Sequence, residues 1–434
     1  MFRFRTNAFA ARFGFFSLVA MTSSVAAGTP NRTENAQWLA NDRVVGEQFG
    51  VSVASKGTSA VVGAWRDTEN DLQVGSAYLI DIPTGAPLFK WAPTNTNQWS
   101  YFGSAVALDD SVALVGAWGT DVVGPGLGGG AAYLYDLATG TQLHRLLPTE
   151  QEQFDDFGVA VALDGGKVLV SNPADDDNGL GSGSVSVFDV ATGTEVAQLR
   201  ASNAAPQEFF GVALAAQGGK AIISARTNVN GQTDAGSAYL FDITTGQQLF
   251  QWTASDAAAF DSFGFSVAID GRYAVIGAYA HDDGSQDAGA AYVFDTFTGA
   301  ELFKLTASDP SSFAYFGWSV AVEGNFAIIG ARGDDVAALN SGSAYVFDVT
   351  TGTELLKLAA SDAARDDAFG WSVALADRIA LVGAPWNYAP RPLNGSAYVF
   401  EGIPEASSLI LVGIVGTLAS LRIALRSQRR SQSS

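Results

Sequence analysis

Short apolar runs separated by clusters of Gly, Asp, Ser and Thr fill the chain from about residue 36 to residue 400. One stretch shows the pattern well. Phe263-Gly-Phe-Ser-Val-Ala-Ile leads through a turn at Asp270-Gly271 into Tyr273-Ala-Val-Ile-Gly-Ala. A longer loop follows, then Ala290-Ala-Tyr-Val-Phe-Asp, a turn ending Thr298-Gly299, and Leu302-Phe-Lys-Leu. Runs of this length, rich in β-branched and aromatic residues and bounded by turn formers, predict four short strands. Side chains alternate across a strand, so Tyr292 and Phe294 share one face while Ala291 and Val293 share the other. Both faces are apolar, and such a sheet needs a neighbour on each side.

The four-strand unit recurs. A Phe-Gly pair stands at Phe49-Gly50, Phe102-Gly103, Phe157-Gly158, Phe210-Gly211, Phe263-Gly264, Phe316-Gly317 and Phe369-Gly370, at intervals of 53, 55, 53, 53, 53 and 53 residues. Thirteen residues after each Gly comes a small residue: Gly63, Gly116, Ser171, Ser224, Gly277, Gly330 and Gly383. Tyr78, Tyr133, Tyr239, Tyr292, Tyr345 and Tyr398 mark the third strand, with Ser186 in the odd repeat. Repeats of this period mean a radial array or a solenoid. Arranging four-stranded units around an axis buries both faces of each sheet, which predicts an all-β, seven-bladed β-propeller. The seventh repeat stops at Glu401 without a fourth strand, whereas Trp38 lies 11 residues before Phe49, as Trp252 does before Phe263. The segment Gln37-Trp38-Leu39 is therefore expected to close the ring as an N-terminal strand. A turn Asp-x-x-Thr-Gly, from Asp81–Gly85 to Asp348–Gly352, recurs six times and reads as structural: Asp caps it and Gly takes positive φ.

The two ends differ from this array. Arg3, Arg5 and Arg12 precede an apolar stretch from Phe13 to Met21, with small residues at Val25, Ala26 and Ala27. That layout predicts a secretory signal over 1–27, and the stretch is short for a membrane core of about 30 Å. At the other end an apolar run from Ser407 to Leu421 is followed by Arg422, Arg426, Arg429 and Arg430. A transmembrane helix held by a cytoplasmic basic tail is expected there. The chain thus divides into 1–27, a propeller over 28–403, and a membrane segment over 404–434.

Cys is absent from the 434 residues, which excludes disulfides, thiolate metal sites and Cys nucleophiles. With 24 basic and 44 acidic residues the net charge is −20, and setting both ends aside makes the remainder more acidic still. Such a surface repels nucleic acid and favours cations or basic partners.

Phe-Gly followed by Gly-Ala, seven times over, resembles the FG-GAP repeats of integrin α-subunit propellers, from about Phe49 to Phe400. Val267-Ala-Ile-Asp-Gly-Arg-Tyr-Ala-Val-Ile-Gly-Ala278, with its minimal turn, is more similar to the bacterial short form. The resemblance implies adhesion or ligand binding and no reaction. The Asp-x-Asp-x-Asp-Gly calcium loop of integrin-type repeats is missing from all seven turns, so those ligands have no counterpart here. Ala344-Tyr-Val-Phe-Asp-Val-Thr-Thr-Gly-Thr-Glu-Leu355 also looks like a quinoprotein-type propeller repeat, a likeness of shape. Pro404-Glu405, the apolar run and the basic tail resemble the PEP-CTERM sorting signal of Gram-negative bacteria, with Ala406 in place of the second proline. That resemblance implies recognition by an exosortase, and export through the inner membrane to the cell envelope or extracellular matrix.

Antiparallel alternation brings the loop between strands two and three to the same face as the blade-to-blade loop. These long loops carry most of the acids: Asp67, Glu69 and Asp71; Asp175, Asp176 and Asp177; Asp282, Asp283 and Asp287; Asp334 and Asp335. Clustered carboxylates suit Ca²⁺, and Asp175–Asp177 and Asp282, Asp283 and Asp287 are the candidate ligands; a solvated acidic rim is the competing reading. Trp65, Trp118, Tyr279, Trp386 and Tyr388 sit on the same face, able either to stack on sugar rings or to plug the channel. His144 and His281 have no His at the equivalent position of another repeat, and no Ser/His/Asp set is identifiable. Arg332-Gly333-Asp334 reads as coincidence. The expectation is an exported surface or matrix module that binds other surface proteins or polysaccharide on the acidic face. A propeller enzyme acting on polysaccharide and a purely structural, calcium-ordered surface protein are the alternatives.

Overall fold

Seven antiparallel sheets follow one another along the chain in the computed structural model, which describes residues 31–40, 46–69, 72–93, 98–121, 128–150, 155–226, 233–387 and 394–403. The segments 1–27 and 404–434, together with Asp71 and Tyr388, lie outside the described residues. Among the described residues no helix is long and apolar enough to cross a membrane.

Each blade is a four-strand meander. Blade five runs Phe263–Asp270, Tyr273–Ala278, Ala290–Asp295 and Glu301–Leu305, and blade six runs Phe316–Glu323, Phe326–Ala331, Ser343–Asp348 and Thr353–Leu358. First strands of adjacent blades touch one another, which places them innermost, while the fourth strands carry the exposed positions. The two-faced prediction for Ala290–Asp295 is met. Tyr292 and Phe294 pack with Ile222, Ala238 and Leu240 of blade four, whereas Ala291 and Val293 pack with Ile329 and Tyr345 of blade six.

The ring closes as expected. Ala36–Trp38 pairs antiparallel with Ser396–Phe400, completing the blade that begins Ser372–Ala376 and Ile379–Ala384. Side chains support this placement beyond backbone pairing. Glu301 and Glu354, at the start of their fourth strands, accept hydrogen bonds from the backbone N–H and hydroxyl of Ser255 and Ser308 in the preceding blade. Glu34 does the same for Ser361, so the N-terminal segment reproduces the contact of a native fourth strand. Asn31–Arg32 adds a parallel fifth strand to blade six, which the alternation pattern did not predict because two residues carry no period.

The small-residue landmark has a steric cause. A Cβ on Gly277 would collide with the carbonyl oxygen of Gly317, the Phe-Gly glycine of the next blade, which itself lies at φ +89°. Gly383 of blade seven stands in the same relation to Gly50 of blade one, so the closing joint is built like the internal ones. Ser266 Oγ and Ser372 Oγ each donate to the adjoining carbonyl, of Gly317 and Gly50, at 2.8 Å.

Candidate functional site

The two faces of the ring differ in kind. On one, the Asp-x-x-Thr-Gly turns close the blades tightly: Asp136 Oδ1 accepts from the N–H and the hydroxyl of Thr139, both at 2.8 Å. These bonds hold the Asp136 carboxyl below its ordinary range. On the other face lie the long loops and two cavities.

Under the long loops, blades one, three, five, six and seven each carry a buried polar network at the head. Asp67, Thr120, Asp175, His281, Asp334 and Asn387 occupy one repeated position, and all six are buried. In blade six the Asp334 carboxylate takes hydrogen bonds from Ser343 at 2.7 Å and Tyr345 at 2.9 Å, and lies 2.7 Å from the Lys357 ammonium. Lys357 also reaches Asp309 of the blade-to-blade loop, at 2.7 Å. Burial alone would raise Asp334, but Lys357 and the two hydroxyls outweigh it and hold the carboxyl below its usual value. Lys357 is pulled down by burial and up, more strongly, by Asp309 and Asp334, so it lies above the ordinary lysine value. Blade one repeats the arrangement with Asp67, Ser76, Tyr78 and Lys90. Blade seven uses Asn387, Tyr398 and Asp362, with Gln37 of the closing strand in the position of the lysine. Burial, then the neighbouring carboxylates, push the Tyr345 and Tyr398 phenols well above their normal value.

His281 belongs to this framework. Its ring lies 2.9 Å from Asp261 Oδ2 through Nδ1 and 2.9 Å from the Lys304 ammonium through Nε2, and Lys304 also bonds Asp256 and Asp283. Both ring nitrogens are thus engaged inside the framework. His144 is half-buried, with Nε2 3.3 Å from the carbonyl of Ala191.

The candidate calcium ligands fall in two separate blades. In blade three Asp175 accepts from Ser184 Oγ, Gln198 Nε2 and Arg200 Nη2, and Arg200 also pairs with Asp177. Asp176 accepts from the backbone N–H of Gly181. In blade five Asp282 accepts from the Asp287 N–H at 2.8 Å, and Asp283 pairs with Lys304. Burial and the charge of Asp282 raise Asp287. Among the described residues no three carboxylate or imidazole groups are arranged to hold a metal ion.

A cavity of about 470 Å³ opens beside the blade-three loop, lined by Asp155, Asn172, Asp175 and Arg200 among others, with no aromatic wall. A second, of about 410 Å³, lies over blade six and is lined in part by Phe313, Tyr315, Arg332, Asn340 and Trp386. The aromatic residues singled out in the sequence divide into two groups. Trp65 and Trp118 pack on Tyr101, at ring separations of 5.5 and 4.3 Å. Tyr279 and Trp386 are the ends of a run through Trp318 and Trp371. The Arg332 guanidinium lies within this run, 3.8 Å from the Trp318 ring centre and 4.7 Å from that of Tyr315. Phe265, Trp318 and Trp371 were not foreseen, although each directly follows a Phe-Gly pair on an innermost strand. Arg332-Gly333-Asp334 is not a presented tripeptide: its Arg is packed among rings and its Asp is buried on Lys357.

Comparison with known proteins agrees with this architecture. The FG-GAP repeat family profile matches residues 33–80, 90–135, 141–188, 194–241, 248–294, 300–347 and 353–400. Each match runs from the fourth strand of one blade to the third strand of the next, so the repeat is offset from the blade and the first one includes the closing strand. No curated protein matches the sequence. Among solved structures, a chain described as "Crystal Structure of Mitotic Checkpoint Complex" superposes with a TM-score of 0.56 at 14% identity, covering 91% of this chain and 99% of that one. That likeness is one of fold alone. Seven family matches over most of the chain, on seven blades, place this protein in the FG-GAP repeat family.

Proposed function

We propose that the protein is an exported, cell-surface or extracellular-matrix binding module whose ligands dock on the long-loop face. The observation that carries the reading is the asymmetry of the ring. Tight, self-capped turns close one face, where Phe297 is an exposed ring, while the blade-three and blade-six cavities, exposed aromatic side chains at Trp99, Phe260 and Phe313, and the acidic loops lie on the other. An FG-GAP propeller fits a non-catalytic binding role in general terms. Export rests on the layout of residues 1–27. Attachment to the envelope, and handling by an exosortase-type enzyme, rest on Pro404-Glu405 and the apolar and basic segments after them.

Calcium on Asp175–Asp177 or on Asp282, Asp283 and Asp287 belongs to the same reading, in competition with Arg200 and Lys304 for those carboxylates. The test is thermal unfolding of the purified chain with Ca²⁺, with chelator, and with panels of polysaccharides and basic proteins. A ligand that binds only the folded state raises the melting temperature. The reading stands if a ligand found in this way is lost on substitution of long-loop residues and kept on substitution of the tight turns. Loss confined to the tight-turn face overturns it.

A further inference from the structure

The cavity over blade six combines three features that the blade-three cavity does not bring together. The first is a set of apolar walls held open to solvent. Phe313 is 43% exposed at φ +63°, and Tyr315 follows at φ +56°, a backbone region that bulky residues rarely adopt. The fold does not require a ring at the Phe313 position. Blade one has Gly46 there, at φ +88°, with open space around it. The positive φ belongs to the turn itself, since Trp99, Gln207, Phe260 and Asp366 share it, so the turn sets the backbone while the side chain at this position is left free to vary and, as Phe313, to meet a ligand.

The second feature is hydrogen-bonding capacity beside those walls. Asn340 Nδ2 donates to Asp366 at 2.8 Å and the Asn340 N–H donates to Asp335 at 2.7 Å, which fixes an amide and two carboxylates at the cavity edge. Arg332 lines the same space. Its Nε is buried without a hydrogen-bond partner, and among the described residues no carboxylate lies within ion-pair distance of it. The third feature is charge. Three ring faces, from Tyr315, Trp318 and Trp371, already compensate the guanidinium. Asp335 and Asp366 repel polyanions, and Arg332 repels cations at close range.

Flat apolar faces flanked by planar donors and acceptors, in a cleft with no strong excess of either charge at its centre, match a pyranose ring. Such a ring has C–H faces for stacking and hydroxyls at its edges that both donate and accept. The cavity volume of about 410 Å³ is within the roughly 300–1,000 Å³ of small-ligand clefts. The geometry points to this cavity as a subsite for uncharged hexose units of a polysaccharide, stacked on Phe313 and Trp386 and hydrogen-bonded by Arg332, Asn340 and Asp335. The assignment rests on the reading of the long-loop face as the binding face. The larger cavity at blade three has no aromatic wall and is not assigned this role.

Titration calorimetry of the full chain with cellohexaose, laminarihexaose, maltohexaose and polygalacturonate tests it. At least one neutral hexaose binds, and Phe313→Gly and Trp386→Ala each weaken it by about tenfold or more. Phe313→Gly relieves backbone strain, so its melting temperature does not fall and lost binding is not lost folding. Phe297→Ala removes an exposed ring next to a tight turn on the opposite face and leaves binding unchanged. The assignment is overturned if no neutral hexaose binds at millimolar concentration, if the Phe313 and Trp386 variants bind as the parent does, or if polygalacturonate binds as tightly. Should the hexaoses fail while a basic protein or Ca²⁺ still binds through other long-loop residues, this subsite falls and the binding-face reading survives.

Discussion

Replacing Lys357 by Met removes an ammonium group from the blade-six head while keeping an unbranched stem in the same packing. Lys357 is 5% exposed and its Nζ lies 2.7 Å from both Asp309 and Asp334; Asp334 is itself 5% exposed. Breaking a buried pair from one side leaves an uncompensated charge, which costs about 3–5 kcal/mol. The lower end applies here, because Ser343 and Tyr345 still donate to Asp334 and Asp309 can turn to water. With about 2 cal/mol/K of unfolding entropy per residue, a ring of this size loses about 4 °C for 3 kcal/mol if it melts as one unit. The pH dependence is the sharper test. In the parent, Asp334 is held below its unfolded value, so its contribution is present above about pH 4 and is lost as pH falls through the folded value. Lys357 is held above its unfolded value, so its contribution is complete below about pH 10.4 and is lost as pH rises through the folded one. In the Met variant the two hydroxyls alone oppose burial, so the Asp334 carboxyl rises from its value in the parent and acid relieves the cost. Melting followed by circular dichroism should therefore show the widest gap near neutral pH, narrowing toward pH 4.5. A variant as stable as the parent, or a gap of equal size at both pH values, would refute the argument.

Trp38→Ala, at a 6% exposed core position of the closing strand, should destabilise the ring by about 3–5 kcal/mol in chemical denaturation, as much as Trp252→Ala within a continuous blade. If it costs nothing, the N-terminal strand does not hold the ring shut. Gly277→Ala drives a Cβ into the Gly317 carbonyl and Gly383→Ala drives one into Gly50; both should yield insoluble or early-melting protein, whereas Gly271→Ala, with open space around it, should stay soluble. In ultraviolet titration Tyr239, pushed up by burial to about 12, and Tyr135, Tyr292, Tyr345 and Tyr398, pushed higher still, should stay silent near pH 10. Because these values are raised, the stability they carry is complete below about pH 10 and is lost as pH rises through the folded values, so ionisation should coincide with unfolding. Arg200→Met frees Asp175 and Asp177, and the variant should gain more melting temperature from Ca²⁺ over chelator than the parent; an equal response would place calcium elsewhere.

The blades were legible because the fold imposes the same demand seven times. Gly277 must be small since a neighbouring backbone lies against it, and Phe263 must be large since it fills the space beside Tyr292, at 5.5 Å between ring centres. The closing strand was legible through Trp38, and Glu34 and Gln37 prove to occupy the positions of Glu354 and Lys357. The acids were less legible. Asp67, Asp175 and Asp334 look like loop carboxylates, yet each is buried under its loop. A loop residue has no period, and nothing local distinguishes a carboxylate that turns inward from one that faces water. The signal lay further along the chain, in Ser76, Ser184 and Ser343 nine residues on and in the lysine, glutamine or arginine of the fourth strand.

That distinction bears on where binding belongs. Positions fixed by blade-to-blade contact recur as Phe, as Gly or Ser, and as Tyr in six of seven blades, and cannot distinguish one direction of approach from another. The head position varies as Asp, Thr, Asp, His, Asp and Asn, but each of these side chains is buried, and all but Thr120 bond strand-three or strand-four polar groups. What remains at the cavity and is little repeated is a smaller set. Trp386 stands where blade six has Gly333, and Arg332, shared only with Arg226 of blade four, stands where other blades have Trp65, Trp118 or Tyr279. These substitutions fall next to each other, at blades six and seven, and open onto one cavity. A seven-fold framework can bind one ligand in one place only where its symmetry is broken, and this is where side chains break it without serving the frame.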